Sequence, residues 1–371
     1  MSPITGTSEA SHHFGLGDFQ SESPLRPEAS SLLHTFFEQG WADPSKIHQR
    51  SAQLRILIES AKEEIASHLG VKKNELEFVG ELGFGFWTAI SGLIEPSREL
   101  VHSVIDRQIV HAFARRHRDH GGKVTEVNVD TEGRFQFPAQ ATSVARTLIW
   151  QATNRESGVI QSRPQIEDKD SLFADMTATS PLASLPENWS VALWDPRNFA
   201  GPQGIAILAI REGSSWRNPL PPIDNRRTFG SFSKPLLLAT AISLSSYIAD
   251  LKAAQDSLRA NYRALTEHLR AKIPGVSLVA DDVEVDCRYL ACAIPDVIAE
   301  EILRSMETKG FLIDAGSACG AGALSPSHVL DAMGWAGRAH FRFSLRTTHQ
   351  SSDIANLASN FAAAIAEARS E

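Results

Sequence analysis

From Leu76 to Ile210 the chain alternates short apolar runs with helical stretches, and this rhythm constrains the fold more than any other feature. Residues 76–80, 147–152, 172–176, 191–195 and 204–210 have the length and composition of strands. Strands that alternate with helices predict an α/β domain with a mostly parallel sheet. The near-continuous run Ile205-Ala-Ile-Leu-Ala-Ile210 suits a sheet covered on both faces.

The flanking segments complete the outline. Asp43-Pro-Ser-Lys-Ile-His48 reads as a turn. Apolar residues at Leu54, Leu57, Ile58, Ala61, Ile65 and Leu69 then make one buried helix face, which Gly70 ends. The Ala- and Leu-rich stretch 236–271 predicts a long helix stopped by Pro274-Gly275. Strands follow at 276–280, 288–294, 311–314 and 341–345, and a last helix carries Ile354, Leu357, Phe361 and Ile365. The expected organisation is an N-terminal arm (1–30, rich in Ser, Pro and Glu), a large α/β domain (31–250) and a smaller C-terminal α+β domain (251–371).

Charge and composition exclude some partners. Hydrophobic residues make up 42% and charged residues 22% of 371, as in soluble globular proteins. A net charge of −8 argues against nucleic acid and anionic membrane surfaces as partners. No uninterrupted apolar run reaches the roughly 18 residues of a membrane span. The polar start Met1–Ser11 lacks the apolar centre of a secretory signal, so a cytoplasmic protein is expected. The three cysteines, Cys287, Cys292 and Cys319, form neither a disulfide framework nor a CxxC pair. Cys287 and Cys292 are expected to be buried. His12-His13 and the scattered histidines show no metal-ligand spacing, and no metal is expected. Arg115-Arg-His-Arg118 reads as a solvated helix face.

Two segments carry a family resemblance. The run Asp195-Pro-Arg-Asn-Phe-Ala-Gly-Pro-Gln-Gly-Ile-Ala206 resembles Ser-Gly-His-Lys-Phe-x-Gly-Pro-x-Gly-Ile-Gly, the cofactor segment of cysteine desulfurases and class V aminotransferases. Phe199, Gly201, Pro202, Gly204 and Ile205 match in register, but Asn198 stands where that family has its Schiff-base lysine. An amide cannot form an imine. The second segment runs from Ala315-Gly-Ser-Ala-Cys319 through Pro326-Ser-His-Val-Leu330 to Phe341-Arg-Phe-Ser-Leu345 and resembles the C-terminal signature of cysteine desulfurases. By this resemblance Cys319 is the persulfide-forming thiol and Arg342 the clamp on the substrate carboxylate. The chemistry suits both residues: a loop thiolate can hand on sulfur, and a guanidinium grips a carboxylate with two parallel bonds. On composition alone, Cys319 reads as an ordinary cysteine at a helix start, and it is the extended resemblance that favours an active-site thiol.

The resemblance implies further positions. The phosphate loop falls on Phe78–Phe84, with Gly83 at the phosphate-binding threonine, and Gly80, Gly83 and Gly85 suit either phosphate binding or a tight turn. The ring-stacking histidine falls on Arg107, and the asparagine that contacts the cofactor hydroxyl falls on Arg155. Asp175 takes the place of the aspartate that pairs with the pyridine nitrogen, and Ala178 replaces a glutamine. Both arginines also read as solvated charges, and Asp175 as a cap. Arg227-Thr-Phe-Gly-Ser231 resembles the loop that reaches the neighbouring subunit's phosphate, with Ser231 for threonine, and Lys234 follows it.

The resemblance therefore implies a pyridoxal-phosphate type I fold with a seven-stranded sheet, and a homodimer. Asn198, Arg107, Ala178 and Gly83 depart from the pattern together. Three functions stay open: a desulfurase-like sulfur relay through Cys319 with a sulfur-donor or sulfur-acceptor protein, an active enzyme using another lysine or noncovalent pyridoxal phosphate, and a non-enzymatic scaffold or regulator.

Overall fold

The computed structural model describes residues 17–21, 23–40, 42–139, 143–221, 227–228, 232–316 and 327–370. Two layers of helix enclose a seven-stranded sheet. Its strands are β1 (Leu76–Val79), β2 (Glu99–Ser103), β3 (Val124–Val127), β4 (Arg146–Gln151), β5 (Ser171–Asp175), β6 (Val191–Trp194) and β7 (Ala206–Ile210), in the order β1-β7-β6-β5-β4-β2-β3. β3, β2, β4, β5 and β6 pair in parallel, and β7 runs antiparallel to both of its neighbours. The helices are α1 (Pro27–Gln39), α2 (Gln49–Leu69), α3 (Leu82–Leu93), α4 (Gln108–Asp119) and α5 (Lys234–Lys272). α1 begins at the end of the expected arm and runs into the large domain. α2 ends where Gly70 adopts the left-handed conformation with its N–H on Ala66 O.

β2 and β3 escaped the apolar pattern for a physical reason. β2 reads Glu-Leu-Val-His-Ser, and its polar side chains are buried. Each is held locally: Glu99, for example, accepts from Thr125 Oγ1 at 2.5 Å and pairs with Lys123 at 3.0 Å. Burial with partners allows a polar strand that hydrophobic periodicity does not register.

A second, antiparallel sheet contains β8 (Ser277–Leu278), β9 (Tyr289–Ile294), β10 (Asp314–Ala315) and β11 (Ala339–Ser344), in the order β10-β11-β9-β8. α6 (Ala299–Thr308), the short α7 (His328–Leu330) and α8 (Ser351–Ala368) accompany it. α5 runs unbroken between the two sheets. Leu237, Leu238, Leu244 and Ile248 join the core of the large sheet, whereas Leu251, Leu258, Leu265 and Leu269 join that of the small one. By length and composition α5 would also suit a membrane span, but these leucines are already buried against protein. Cys292 is fully buried, and burial raises its thiol pKa. Cys287 is only partly buried. In the basic run, Arg115, Arg116 and Arg118 are exposed, while His117 is buried and bonded through Nε2 to Arg98 O at 3.0 Å.

The segment before α1 is strapped to the small sheet. Phe19 is fully buried with its ring 4.2 Å from that of His349. Arg346 donates to Asp18 O at 2.6 Å and to Gln20 O at 3.1 Å. His349 Nδ1 accepts from Arg346 N at 3.1 Å, so its proton sits on Nε2, facing Asp18 O at 3.1 Å. Burial, with Arg346 adding to it, lowers the His349 pKa from 6.5 to about 4. The folded state resists this protonation and the unfolded state does not. The stabilisation is therefore complete above the unfolded value and is lost as pH falls from 6.5 to about 4. The expected loss is on the order of 2–3 kcal/mol. Hydrogen exchange of residues 17–27 should rise over this window in the native protein and stay flat in His349→Gln.

Candidate active site

The carboxyl ends of β2, β4, β5 and β6 and the start of α3 meet on one side of the large sheet. This is where open α/β sheets place their ligands. Asp175 ends β5 and is 2% exposed. It accepts from Thr177 N at 2.9 Å and from Thr177 Oγ1 at 2.6 Å. Arg107, just before α4, brings Nε to 3.5 Å from Asp175 Oδ2 and donates through Nη2 to Thr177 Oγ1 at 2.7 Å. The residues at the ring-stacking and pyridine-nitrogen positions thus lie in ion-pair range of each other. Arg107 also lies over the Phe86 ring, 5.8 Å from its centroid.

The first turn of α3 is capped from within. Glu81 accepts from Gly83 N at 2.7 Å and from Phe84 N at 2.8 Å. Helix-start amides are ready anion donors, and here the anion is the chain's own carboxylate.

Asn198 lies on the single turn Pro196–Phe199 that follows β6. Asp195 shapes this turn by accepting from Arg197 N at 3.0 Å and gripping its guanidinium at 2.8 Å. The glycines after it have a backbone reason to be there. A Cβ on Gly201 would lie 2.8 Å from Pro196 O, and Gly204 has φ +81°. Asn198 Nδ2 donates to Thr179 O at 2.6 Å. Its Oδ1 accepts from Tyr289 Oη at 2.6 Å and from Arg288 Nη1 at 3.1 Å. Arg288 is held by Asp286 through Nε to Oδ1 at 2.9 Å and Nη2 to Oδ2 at 2.6 Å. It also donates to Ala178 O at 3.1 Å. Burial would lower the Arg288 pKa, but the Asp286 carboxylate overrides it and holds the pKa well above the ordinary value.

Arg288 and Tyr289 were not singled out from sequence. The signal available was Asp286-x-Arg288-Tyr289, a charged pair at the mouth of an apolar strand. Arg155 donates to Ser21 O at 3.0 Å, and burial lowers its pKa. With Asn198, Arg288, Tyr289, Tyr247 and residues 23–27 it lines a cavity of about 190 Å³.

The remaining expected residues are dispersed. Arg342 on β11 is buried, with Nη2 at 3.9 Å from Asp314 Oδ2. Its Nε has no hydrogen-bond partner among the described residues. Arg227 is spent on Glu77 at 2.8 Å and on backbone carbonyls of its own chain. Lys234 opens α5 with its ammonium 3.4 Å from the Phe232 ring centroid. Cys319 and Ser231 lie outside the described residues.

No protein-family profile matches the chain. It is 22% identical over 334 residues to a cysteine desulfurase of Nostoc sp., covering 85% of this chain and 83% of that one. It is 23% identical over 338 residues to the cysteine desulfurase IscS of Dictyoglomus turgidum, covering 85% and 84%. Among solved structures it resembles a NifS-like protein with a TM-score of 0.80 at 18% identity, over 94% of this chain and 99% of that one. The apo cysteine desulfurase of Thermococcus onnurineus NA1 gives a TM-score of 0.77 at 13% identity, over 92% of each chain. The fold is thus the expected one: a seven-stranded, mostly parallel sheet with a smaller C-terminal unit. Along most of its length the chain is similar in sequence to cysteine desulfurases, and it shares the fold of the NifS-like structures.

Proposed function

We propose that this chain is a cysteine desulfurase-like sulfur relay that holds no pyridoxal phosphate as a lysine imine at position 198. The observation that carries the reading is the bonding of Asn198, whose two amide atoms are committed to Thr179, Tyr289 and Arg288. Two further features support it. Glu81 covers the amides of Gly83 and Phe84, where a phosphate would need them. Arg107 stands beside Asp175, on the carboxylate that a pyridine nitrogen would require. These residues do not fit the cofactor, and no step through it is assigned.

In the relay the Cys319 thiolate attacks the outer sulfur of a donor persulfide. One S–S bond forms, the donor's S–S bond breaks, and the donor leaves as a thiolate. No external oxidant is needed. The Nε of buried Arg342, which has no hydrogen-bond partner among the described residues, supports a donor or acceptor bearing a carboxylate. We further expect a cytoplasmic homodimer. The exposed Ile47, Ile56 and Leu57, at 96%, 69% and 51%, support an apolar contact face around α2.

The test has two parts. Purified protein mixed with pyridoxal phosphate and treated with borohydride is expected to show no fixed adduct. A fixed adduct would overturn the reading and place an imine on another lysine, with Lys234 the first to map. With a cysteine persulfide donor, Cys319 is expected to acquire sulfane sulfur and pass it to an acceptor thiol. Unchanged transfer by Cys319→Ala would remove the relay.

A further inference from the structure

We infer that His102, His111 and Glu126 form a binding site for one divalent transition-metal cation, with zinc the best match. The spacing of these residues in the sequence hides the site. Each comes from a different element of one β–α–β unit: His102 from β2, His111 from α4 and Glu126 from β3. His102 and Glu126 are register partners on adjacent parallel strands. Their candidate ligand atoms all lie within 4.8 Å of one another.

The distances suit a small cation. Glu126 Oε2 is 3.6 Å from His102 Nε2 and 3.5 Å from His111 Nδ1. Two ligands at zinc's bond lengths in a tetrahedron stand roughly 3.3–3.4 Å apart. Both distances from Glu126 come within a few tenths of an ångström of that spacing.

Proton placement strengthens the case. His102 Nδ1 is 3.1 Å from the carbonyl oxygen of Ser103, which can only accept. Nδ1 therefore carries the proton of the neutral ring, and the Nε2 lone pair points toward the Glu126 carboxylate. Two acceptors then face each other, and His102 is 1% exposed. A cation between them removes the conflict. Protonating both rings is the poorer solution, because the His102 and His111 rings lie 5.0 Å apart, edge to face, and would repel as imidazolium ions. Nε2 of His102, the atom that faces Glu126, is buried without a hydrogen-bond partner among the described residues. A backbone carbonyl behind a histidine is also the usual device that orients it as a ligand.

The donor set selects the metal class. Two imidazoles and one carboxylate suit zinc and its neighbours, not the oxygen-seeking calcium or magnesium. Glu126 is 45% exposed, so the cation has an entrance and room for water as a fourth ligand. His102 and His111 bracket the loop that carries Arg107, so an occupied site would fix that loop. None of this depends on the sulfur-relay reading.

The test uses the full-length protein stripped of metal and titrated with zinc chloride, then with cobalt chloride. One zinc per chain is expected, with a raised melting temperature. Cobalt should give a four-coordinate visible spectrum without a thiolate charge-transfer band. Glu126→Gln, at a half-exposed position, and His111→Gln should each weaken zinc binding by at least ~10-fold. Cys319→Ser should leave it unchanged. Absent saturable binding, binding indifferent to both ligand variants, or binding lost with Cys319 would each overturn the site.

Discussion

Asn198→Lys is expected to destabilise the protein by about 3 kcal/mol or more and to yield no borohydride-fixed adduct with pyridoxal phosphate. The substitution restores the family's residue but not its surroundings. It removes the acceptor on which Arg288 and Tyr289 converge, at 3.1 and 2.6 Å. It also brings an amine beside a guanidinium that is itself buried and charged. The lysine either stays charged against Arg288 or gives up its proton, and both choices cost free energy. Glu81 remains on the helix-start amides, so no phosphate seat opens in compensation. Adding Arg288→Met should recover part of the loss, because the new ammonium can then turn to Asp286. Denaturant unfolding of the two single variants and the double variant measures this coupling. A fully stable Asn198→Lys protein that forms an imine would show the site to be a dormant enzyme centre.

Asp286→Asn should cost about 3–5 kcal/mol, the range for stripping a buried charge of its partner. The carboxylate accepts two parallel bonds from Arg288, and the two side chains are 7% and 5% exposed. The guanidinium's other contacts, Asn198, Ala178 and Tyr247, are neutral and cannot replace the lost charge. Because Arg288 also holds the Asn198 turn, faster hydrogen exchange is expected across residues 195–200. Equal stability of Asp286→Asn and wild type in urea would show that the network is not what fixes this turn.

The sequence showed which residues match the family pattern and which depart from it, but not what contacts the departing residues make. Gly201 and Gly204 were legible because each meets a backbone demand: one a close approach to Pro196 O, the other a left-handed turn. Such demands persist whatever ligand the site holds. Arg107 was read as a possible ring-stacking residue, yet it forms an ion pair with Asp175. Glu81 was not singled out in the sequence, and only its contact with Gly83 and Phe84 gives it meaning.

By itself the sequence determined the alternation of apolar strands and helices, the buried face of α2 except for Leu57, which is exposed, and the amide at position 198. These are local matters, set by periodicity, turn chemistry and residue identity. The tertiary structure decided which charges meet. Arg288 is 90 residues from Asn198, and His102, His111 and Glu126 show no recognisable spacing along the chain. Partners so distant are chosen by sheet order and strand register, which no local pattern encodes. β2 and β3 show this most plainly, because the polar residues that hid them from the hydrophobic pattern include His102 and Glu126, which the sheet places face to face.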